Sequence, residues 1–463
     1  MNKILPFFFE SLDADRTLVT NISGEYGVLE SRDELEAMAA GNPAPGTIEK
    51  LAHAKFIAPD EKQHAAHSSL LASALSHRIK SNLIDKKIFM IVPTLRCDHN
   101  CTYCQVSREN IDAQGFDLDV ELVPKIAETI VNQGPGPCQI EFQGGEPLVR
   151  FDVVKRFYEE LESRSVGNSY VIATSLSLLN EAIIDWARDK DVQFSVSMDG
   201  VQATHDHSRR NVIGSSHQMA SSGIKKIIEE IGPERLGLVT TVTPGLFDTY
   251  QLFVEEISHL GFRELFVRPL SPYGFAQKKY NHHYSIDEYF VFYERFIAYL
   301  IDNYGQYGIS EATFKIHVSK VMNPRYTSYV DLKSPSGYFL NAMVFDYSGK
   351  VFGSDEARMI YKTHGVEELV LCDLNDEGYR AANSASEQIL SGSFIFDNPG
   401  CDECAYSPYC GSDPMYHIAT QGDFVGDKSL SDFCYFQKKI FSLVFTLLSD
   451  PSRKSVLERW VYE

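Results

Sequence analysis

The sequence predicts an α/β protein: a partial (β/α)6 TIM-like barrel, preceded by a small winged-helix-like unit and followed by a cysteine-rich domain. Three observations predict it. Six apolar, strand-length runs alternate with stretches of helical periodicity between about residues 86 and 270, the pattern of a parallel sheet with helices on one face. The chain has 463 residues, enough for about three domains. Seven of its nine cysteines fall into two groups, one just after the first apolar run and one beyond residue 400.

Taken in order, residues 16–29 (RTLVTNISGEYGVL) read as two short strands around a Ser23-Gly24 turn, followed by a polar helix from about Ser31 to Ala40. A second short helix (GTIEKLAHAKFI) follows a Pro-Gly break, and the Ala/His/Ser-rich stretch from Glu61 to Ser81 reads as a linking helix. The barrel strands are IFMIVPT (88–94), CQIEFQG (138–144), SYVIATS (169–175), QFSVSMDG (193–200), LGLVTTV (236–242) and LFVRPL (265–270). Residues 286–304 form an aromatic amphipathic helix with a core-packing face. Short strands and Gly/Asp turns follow from about Lys333, and YFQKKIFSLVFTLL (435–448) reads as a closing helix. The expected division is 1–60, winged-helix-like and placed to bind a leader peptide; 61–85, linker helix; 86–332, barrel; 333–463, cysteine-rich domain.

Composition narrows the function classes. Hydrophobic content of 44% and charged content of 23% exclude a wholly disordered polypeptide. The balance of 43 basic against 63 acidic residues gives −20, a field that repels phosphate backbones and anionic lipid. No nucleic-acid or membrane partner is expected; a peptide is permitted. The apolar opening Ile4–Phe9 lacks the length and cleavage site of a secretory signal, so the expected location is the cytoplasm. In that reducing compartment clustered cysteines more often ligate metal than pair.

The first group is Cys97-Asp-His-Asn-Cys101-Thr-Tyr-Cys104, just beyond a strand end. Three thiolates there can converge on one metal centre and leave a coordination position open; a structural zinc would need a fourth ligand, for which His99 is the nearby candidate. At the next strand end stands Gln143-Gly144-Gly145-Glu146-Pro147, where adjacent glycines let backbone groups approach a ligand closely. Thr174-Ser175 and Ser197-Met-Asp199-Gly200 follow at successive strand ends, with polar groups suited to ribose hydroxyls. Reactive groups of such barrels sit at the C-terminal ends of the strands.

In this order CxxxCxxC, Gly-Gly-Glu-Pro and Ser-x-Asp-Gly resemble the radical S-adenosylmethionine (SAM) superfamily. The resemblance implies a [4Fe–4S] cluster on Cys97, Cys101 and Cys104 whose open iron binds SAM. One electron from a reducing protein such as flavodoxin or ferredoxin then splits SAM, and the deoxyadenosyl radical takes hydrogen from an unreactive carbon. It also places Tyr103 against the adenine, Gly144, Gly145 and Glu146 at the methionyl amine, and Ser197 at the ribose, with Thr174 and Asp199 completing the binding set. The stretch His205-Asp206-His-Ser-Arg209 resembles the peptide-modifying branch.

The second group, Cys401-Asp-Glu-Cys404, Cys410 and Cys434, makes a complete metal site by count, with zinc as an alternative. It resembles the auxiliary-cluster (SPASM) domain of peptide-modifying radical SAM enzymes, with two departures. Pro414 stands at the fourth cysteine of CxxCx5CxxxC, and Ser354 at the upstream Gly-x4-Cys position. The missing ligands belong to the substrate-proximal auxiliary cluster. The expectation is therefore one auxiliary [4Fe–4S] cluster, on Cys401, Cys404, Cys410 and Cys434. Asp355, next to Ser354, lies where some members place a catalytic base. Cys138 and Cys372 read as small core residues.

The wording of PTLRCDHNCTYCQVSR and FGSDEARM most resembles the maturases of the His-Xaa-Ser peptide system. This implies a ribosomally made precursor peptide with His-Xaa-Ser repeats as substrate, and a carbon–carbon crosslink of cyclophane type between side chains, at aromatic or His residues. Thioether formation, sulfatase formylglycine maturation and a non-catalytic zinc-binding peptide scaffold stand as alternatives.

Overall fold

In the computed structural model, which describes residues 2–84, 87–133, 136–165, 167–274, 284–323, 332–376 and 384–463, all six barrel strands are present. They are β1 (Ile88–Thr94), β2 (Gln139–Gly144), β3 (Ser169–Thr174), β4 (Val192–Ser197), β5 (Leu236–Thr241) and β6 (Glu264–Arg268). Each pairs in parallel with the next, in sequence order. Helices α1 (Val123–Gln133), α2 (Phe151–Glu162), α3 (Glu181–Arg188), α4 (Ser216–Glu230) and α5 (Tyr250–His259) supply the crossovers.

The period-two pattern explains the layering. In β2, Ile140 and Phe142 are buried against the helices, while Gln139, Glu141 and Gln143 point to the other face and stay half-buried. β4 repeats this, with Val192, Phe194 and Val196 in the core and Ser195 and Ser197 facing inward. α2 answers with Val153, Val154, Phe157 and Leu161, a helical stripe that seats on the sheet. The barrel interior is therefore lined by polar side chains.

The sheet runs on past the barrel at both edges. β7 (Ser310–Glu311) adds to β6 in parallel. On the other edge β8 (Ala342–Phe345) pairs in parallel with β1, and β9 (Lys350–Phe352) and β10 (Val370–Asp373) continue antiparallel, giving ten strands. The cysteine-rich region thus shares a hydrogen-bonded sheet with the barrel. The aromatic helix, Ile286–Asp302, buries Tyr289, Phe292, Tyr293 and Phe296 and begins with a Ser285/Glu288 capping box. Its rings meet Phe436 of the closing helix, Asp432–Leu448.

At the N-terminus Thr17–Thr20 and Tyr26–Leu29 form the expected hairpin, and Phe8–Ser11 adds an unforeseen third strand. Helices Arg32–Ala39, Pro45–Ala52 and Glu61–Leu83 follow. The linker's end at residue 85 lies outside the described residues, as does the barrel's expected first residue, 86. This unit sits on the second cysteine group. Thr20 Oγ1 donates to Ala405 O (2.7 Å), Arg78 Nη1 to Pro408 O (2.7 Å), and Tyr409 OH to Gly24 O (3.0 Å). No helix among the described residues is long and apolar enough to cross a membrane.

Candidate functional site

The first cysteine loop leaves β1 and is pinned from two sides. Arg96–Cys97 pairs with Glu109–Asn110, and His99–Cys101 pairs antiparallel with Arg209–Asn211, Cys101 opposite Arg209. The Gly-Gly-Glu turn locks against it. Gly145 N donates to Thr94 O and Glu146 N to Arg96 O, both at 2.9 Å. A Cβ on Gly145 would stand 2.2 Å from Arg96 O; Gly144, at φ +119°, would drive one to 2.7 Å from Thr94 O. Only glycine permits this approach of β2 to the cysteine loop.

Glu146 is buried and its carboxylate is fully engaged. Oε1 accepts from Thr174 Oγ1 (2.7 Å) and Leu148 N (3.2 Å), Oε2 from Ser175 N (2.9 Å) and Ser175 Oγ (2.8 Å). The side chain therefore ties β2 to β3, which leaves the main chain of Gly144–Glu146 to face a ligand. Burial pushes the carboxyl's pKa up and these donors pull it down.

Between the first two cysteines runs a buried relay. Asp98 accepts from His99 Nδ1 (2.9 Å), Ser177 Oγ (2.6 Å) and Asn211 Nδ2 (2.8 Å). His99 Nε2 meets Ser216 Oγ at 2.8 Å, and Ser216 Oγ meets His205 Nε2 at 2.9 Å. His205 Nδ1 accepts from Asp199 N (3.1 Å), so its Nε2 carries the proton and donates to Ser216, whose hydroxyl proton is left for His99. Burial drives His205 down to about 2, which keeps it neutral. Both nitrogens of His99 are thus spent inside the protein, and the residue is not offered as a fourth metal ligand.

Asp199 closes the other side. Its carboxylate accepts from Tyr103 OH and from Thr241 N (2.9 Å), while Arg209 Nη1 donates to Tyr103 OH (2.7 Å). Arg209 Nε is buried beside Cys101 with no acceptor. Cys97, Cys101, Cys104, Tyr103, Gly144, Gly145, Glu146, Thr174, Ser197 and Asp199 all gather around the C-terminal ends of β1 to β4.

The donor set fits an iron–sulfur cluster and a zwitterionic ligand. Burial raises the Cys97 thiol strongly and Cys101 to about 11, so the thiolates need a bound cation. Among the described residues, the only three ligand atoms within 4.8 Å of one another belong to Cys97, Asp98 and His99. Neither cysteine group is drawn in to the spacing of about 3.8 Å that thiolates take around one zinc ion. A four-iron core holds its thiolates farther apart. The unpaired Arg209 Nε suits a carboxylate.

The second group lies on consecutive turns. Cys404 N donates to Cys401 O (3.2 Å) and Cys410 N to Tyr406 O (2.9 Å); Cys434 opens the closing helix, its N–H taken by the Ser431 cap (3.2 Å). Burial raises the thiols of Cys401, Cys410 and Cys434, the neighbouring thiols of the group add to that rise, and Lys320, Lys428 and Lys438 act against it. A ring of lysines suits the net negative charge of a four-thiolate cluster. Ser354 is the N-cap of helix Asp355–His364, accepting from Ala357 N (3.2 Å), and Pro414 starts helix Pro414–Gln421. Both departures from the SPASM pattern thus serve as helix starts.

Asp355 is buried at the start of its helix, where Arg358 Nε donates to it (2.8 Å). Burial raises the Glu141 carboxyl of β2, and the charge of Asp355 adds to that rise. Cys138 and Cys372 are buried among core residues. Sequence reasoning missed Asp98, Ser216, Glu141 and Arg358. The first carried a signal, a charged residue inside a cysteine loop; the others acquire meaning from pairing across the fold.

Comparison with known proteins agrees with this geometry. Residues 91–260, less than half of the chain, match the Radical SAM superfamily. The cysteine-type anaerobic sulfatase-maturating enzyme of Clostridium perfringens (strain 13 / Type A) is 25% identical over 210 residues, 42% of this chain and 55% of that protein. The chain spans about half the length of the curated relatives it matches. The structure of anSMEcpe with bound AdoMet and Cp18Cys peptide superposes with TM-score 0.65 at 15% identity, covering 81% of this chain and 99% of that one. Streptococcus suis SuiB bound to precursor peptide SuiA superposes with TM-score 0.53 at 14% identity, covering 91% and 97%. With a cysteine loop, a glycine turn and a Ser-x-Asp-Gly turn meeting at the strand ends of this barrel, residues 91–260 are a radical SAM domain.

Proposed function

We propose that the protein is a radical SAM peptide maturase that oxidises a ribosomally made precursor peptide by forming a carbon–carbon crosslink between side chains, at aromatic or His residues. The observation that carries this is the pairing of two thiol groups in one polypeptide: three cysteines at the barrel mouth, and four more, lysine-ringed, under the N-terminal unit. Relatives named for peptide work support a peptide substrate, one solved with Cp18Cys peptide and one with the precursor SuiA.

When bound, a [4Fe–4S] cluster and SAM supply one-electron cleavage and a hydrogen-abstracting radical. Cys97, Cys101 and Cys104 would hold that cluster. The main chain of Gly144–Glu146 and the Arg209 guanidinium would hold the amino and carboxylate ends of SAM, with Ser197 at the ribose and Tyr103 beside the adenine; Asp199, fully buried with both oxygens taken by Tyr103 OH and Thr241 N, would brace Tyr103 instead of meeting the ribose. Cys401, Cys404, Cys410 and Cys434 would hold the auxiliary cluster that takes the second electron. Asp355 would accept the ring proton; Arg358 holds its carboxylate in place. Barrel walls exclude water from the radical. The N-terminal sheet would add a leader strand at its edge.

Anaerobic reconstitution under a strong reductant should release deoxyadenosine from SAM, and Cys97→Ala, Cys101→Ala or Cys104→Ala should abolish it. Co-expression with an adjacent short open reading frame should give a peptide lighter by two hydrogens per crosslink. Cys401→Ala should keep some SAM cleavage and stop modification; full modification by that variant refutes the electron-acceptor role. Zinc without sulfide refutes the enzyme reading, and formylglycine in a sulfatase peptide replaces the crosslink.

A further inference from the structure

The chain carries 63 acidic residues against 43 basic ones, yet residues 99–108 and residues 207–228 hold no acid at all. The fold brings these two stretches together. His99–Cys101 pairs antiparallel with Arg209–Asn211, with Arg209 opposite Cys101 and Arg210 opposite Asn100. Strand alternation then sorts the side chains. Arg209 turns inward, its Nη1 on Tyr103 OH at 2.7 Å, and Cys101 shares its face. Asn100 and Arg210 turn outward and are exposed. Arg210 gives its Nε to His207 O (3.2 Å), and no described carboxylate pairs with it. The adjoining acids are engaged or distant. Asp98 is buried under His99, Ser177 and Asn211, and Asp206 accepts from Ser215 Oγ (2.7 Å) and His217 N (2.9 Å). Glu109 lies on the other margin of the cysteine loop, opposite Arg96, and Glu229 at the far end of α4.

Beyond Asn211 two adjacent apolar side chains stand in water, Val212 88% exposed and Ile213 77%. This tip is held still. Asn211 Oδ1 accepts from Ile213 N and Asn211 Nδ2 donates to Asp98 Oδ2, both at 2.8 Å, so one side chain fastens the tip to the residue after Cys97. A fixed apolar tip has already lost the freedom that binding would otherwise cost.

These features fit one occupant. The inner side of the cysteine loop carries the SAM-binding set, which leaves the outer side for the delivery of an electron. A net charge of −20 turns an acidic carrier away from most of the surface, while the acid-free strip around Arg210 attracts it and fixes its orientation. The Val212–Ile213 tip adds the dry contact that charge alone does not give. A second copy of this chain would set one −20 field against another.

We propose that Arg210, Val212 and Ile213, with Asn100 beside them, form the docking surface for an acidic one-electron carrier protein that reduces the cluster from the outer side of the cysteine loop. The inference rests on the cluster assigned above to Cys97, Cys101 and Cys104 and adds where its electron arrives. One electron leaves the carrier and enters the cluster; no bond is made or broken.

The test uses the reconstituted full-length protein with an acidic flavodoxin as the probe. Anaerobic calorimetry measures binding. Deoxyadenosine release from SAM is followed with reduced flavodoxin and, separately, with dithionite, a small reductant that needs no docking surface. The wild type should bind flavodoxin, more weakly as salt rises from about 0.05 to about 0.3 M. Arg210→Glu should weaken binding and slow flavodoxin-driven release about tenfold at low salt and flatten the salt dependence, while Arg210→Lys stays near wild type. Val212→Ser combined with Ile213→Ser should weaken binding about tenfold and keep the salt dependence. Dithionite-driven release should be unchanged in all three. Wild-type binding in Arg210→Glu and in the double serine variant overturns the proposal, and so does an equal loss with dithionite. A change of oligomeric state or of peptide binding in place of flavodoxin binding also overturns it. If the wild type releases no deoxyadenosine even with dithionite, the cluster reading falls, and calorimetry still decides the docking surface.

Discussion

Replacing Ser216 by alanine tests the buried relay most directly. The hydroxyl accepts from His205 Nε2 at 2.9 Å and donates to His99 Nε2 at 2.8 Å, and Ser216 is 1% exposed. A methyl group leaves one buried donor and one buried acceptor unsatisfied, each worth about 1–3 kcal/mol, so Ser216→Ala should cost about 2–6 kcal/mol. The two rings cannot close the gap, because each is held at its far nitrogen, His99 by Asp98 and His205 by Asp199 N. Ser216→Thr keeps the hydroxyl and should recover most of the loss, less a crowding cost of about 1 kcal/mol. Urea unfolding of the metal-free protein, followed by the fluorescence of Trp186 and Trp460, measures the difference. The same variant should retain less iron after reconstitution, since His99 lies between Cys97 and Cys101. A Ser216→Ala loss below about 0.5 kcal/mol would refute the tautomer assignment and the relay's role.

Other outcomes follow from the same contacts. Burial lowers His205 to about 2 and His317 and His417 to about 4, from an ordinary 6.5. Folded-state values below the unfolded one mean their contribution is intact above pH 6.5 and is lost as pH falls, because the unfolded state takes up protons first. Near pH 5.5 each should cost about 1.4 kcal/mol, about 4 kcal/mol together, read from urea melts between pH 7.5 and 5.5. A flat profile would count against neutral burial. Arg78→Met removes the donor shared by Pro408 O and Ile22 O, at 2.7 and 2.9 Å, and should free the N-terminal unit to proteolysis while auxiliary iron falls. Glu146→Gln sets an amide against two protein donors and should weaken SAM binding at least about tenfold by calorimetry; unchanged affinity would refute its bracing role.

Much of this molecule is legible along the sequence because its determinants are local. Alternating residues such as Ile140 and Phe142 announce a strand, and Cys97, Cys101 and Cys104 are joined by a loop too short to part them. The Gly144-Gly145 pair advertises close approach before one knows what is approached. Ser354 and Pro414 mark where ligands are lacking, yet their use as helix starts shows only in the structure. Phe8–Ser11 passed unnoticed because an edge strand with half-buried residues has no strong periodicity. Arg358 carries no motif; its charge gains meaning from the buried hydrogen bond to Asp355.

What the sequence alone determined is the chemistry each segment carries and the order in which strand ends deliver it, since side-chain type and hydrophobic period are properties of neighbours along the backbone. What only the tertiary structure decided is which polar groups are already satisfied and which remain open. Ser216 lies 117 residues from His99, and the unpartnered Nη2 of Arg358 and Nε of Arg209 are recognised as open only when their surroundings are seen. Hydrogen bonds and charge pairs act over a few ångströms of space, and a linear pattern does not encode that distance.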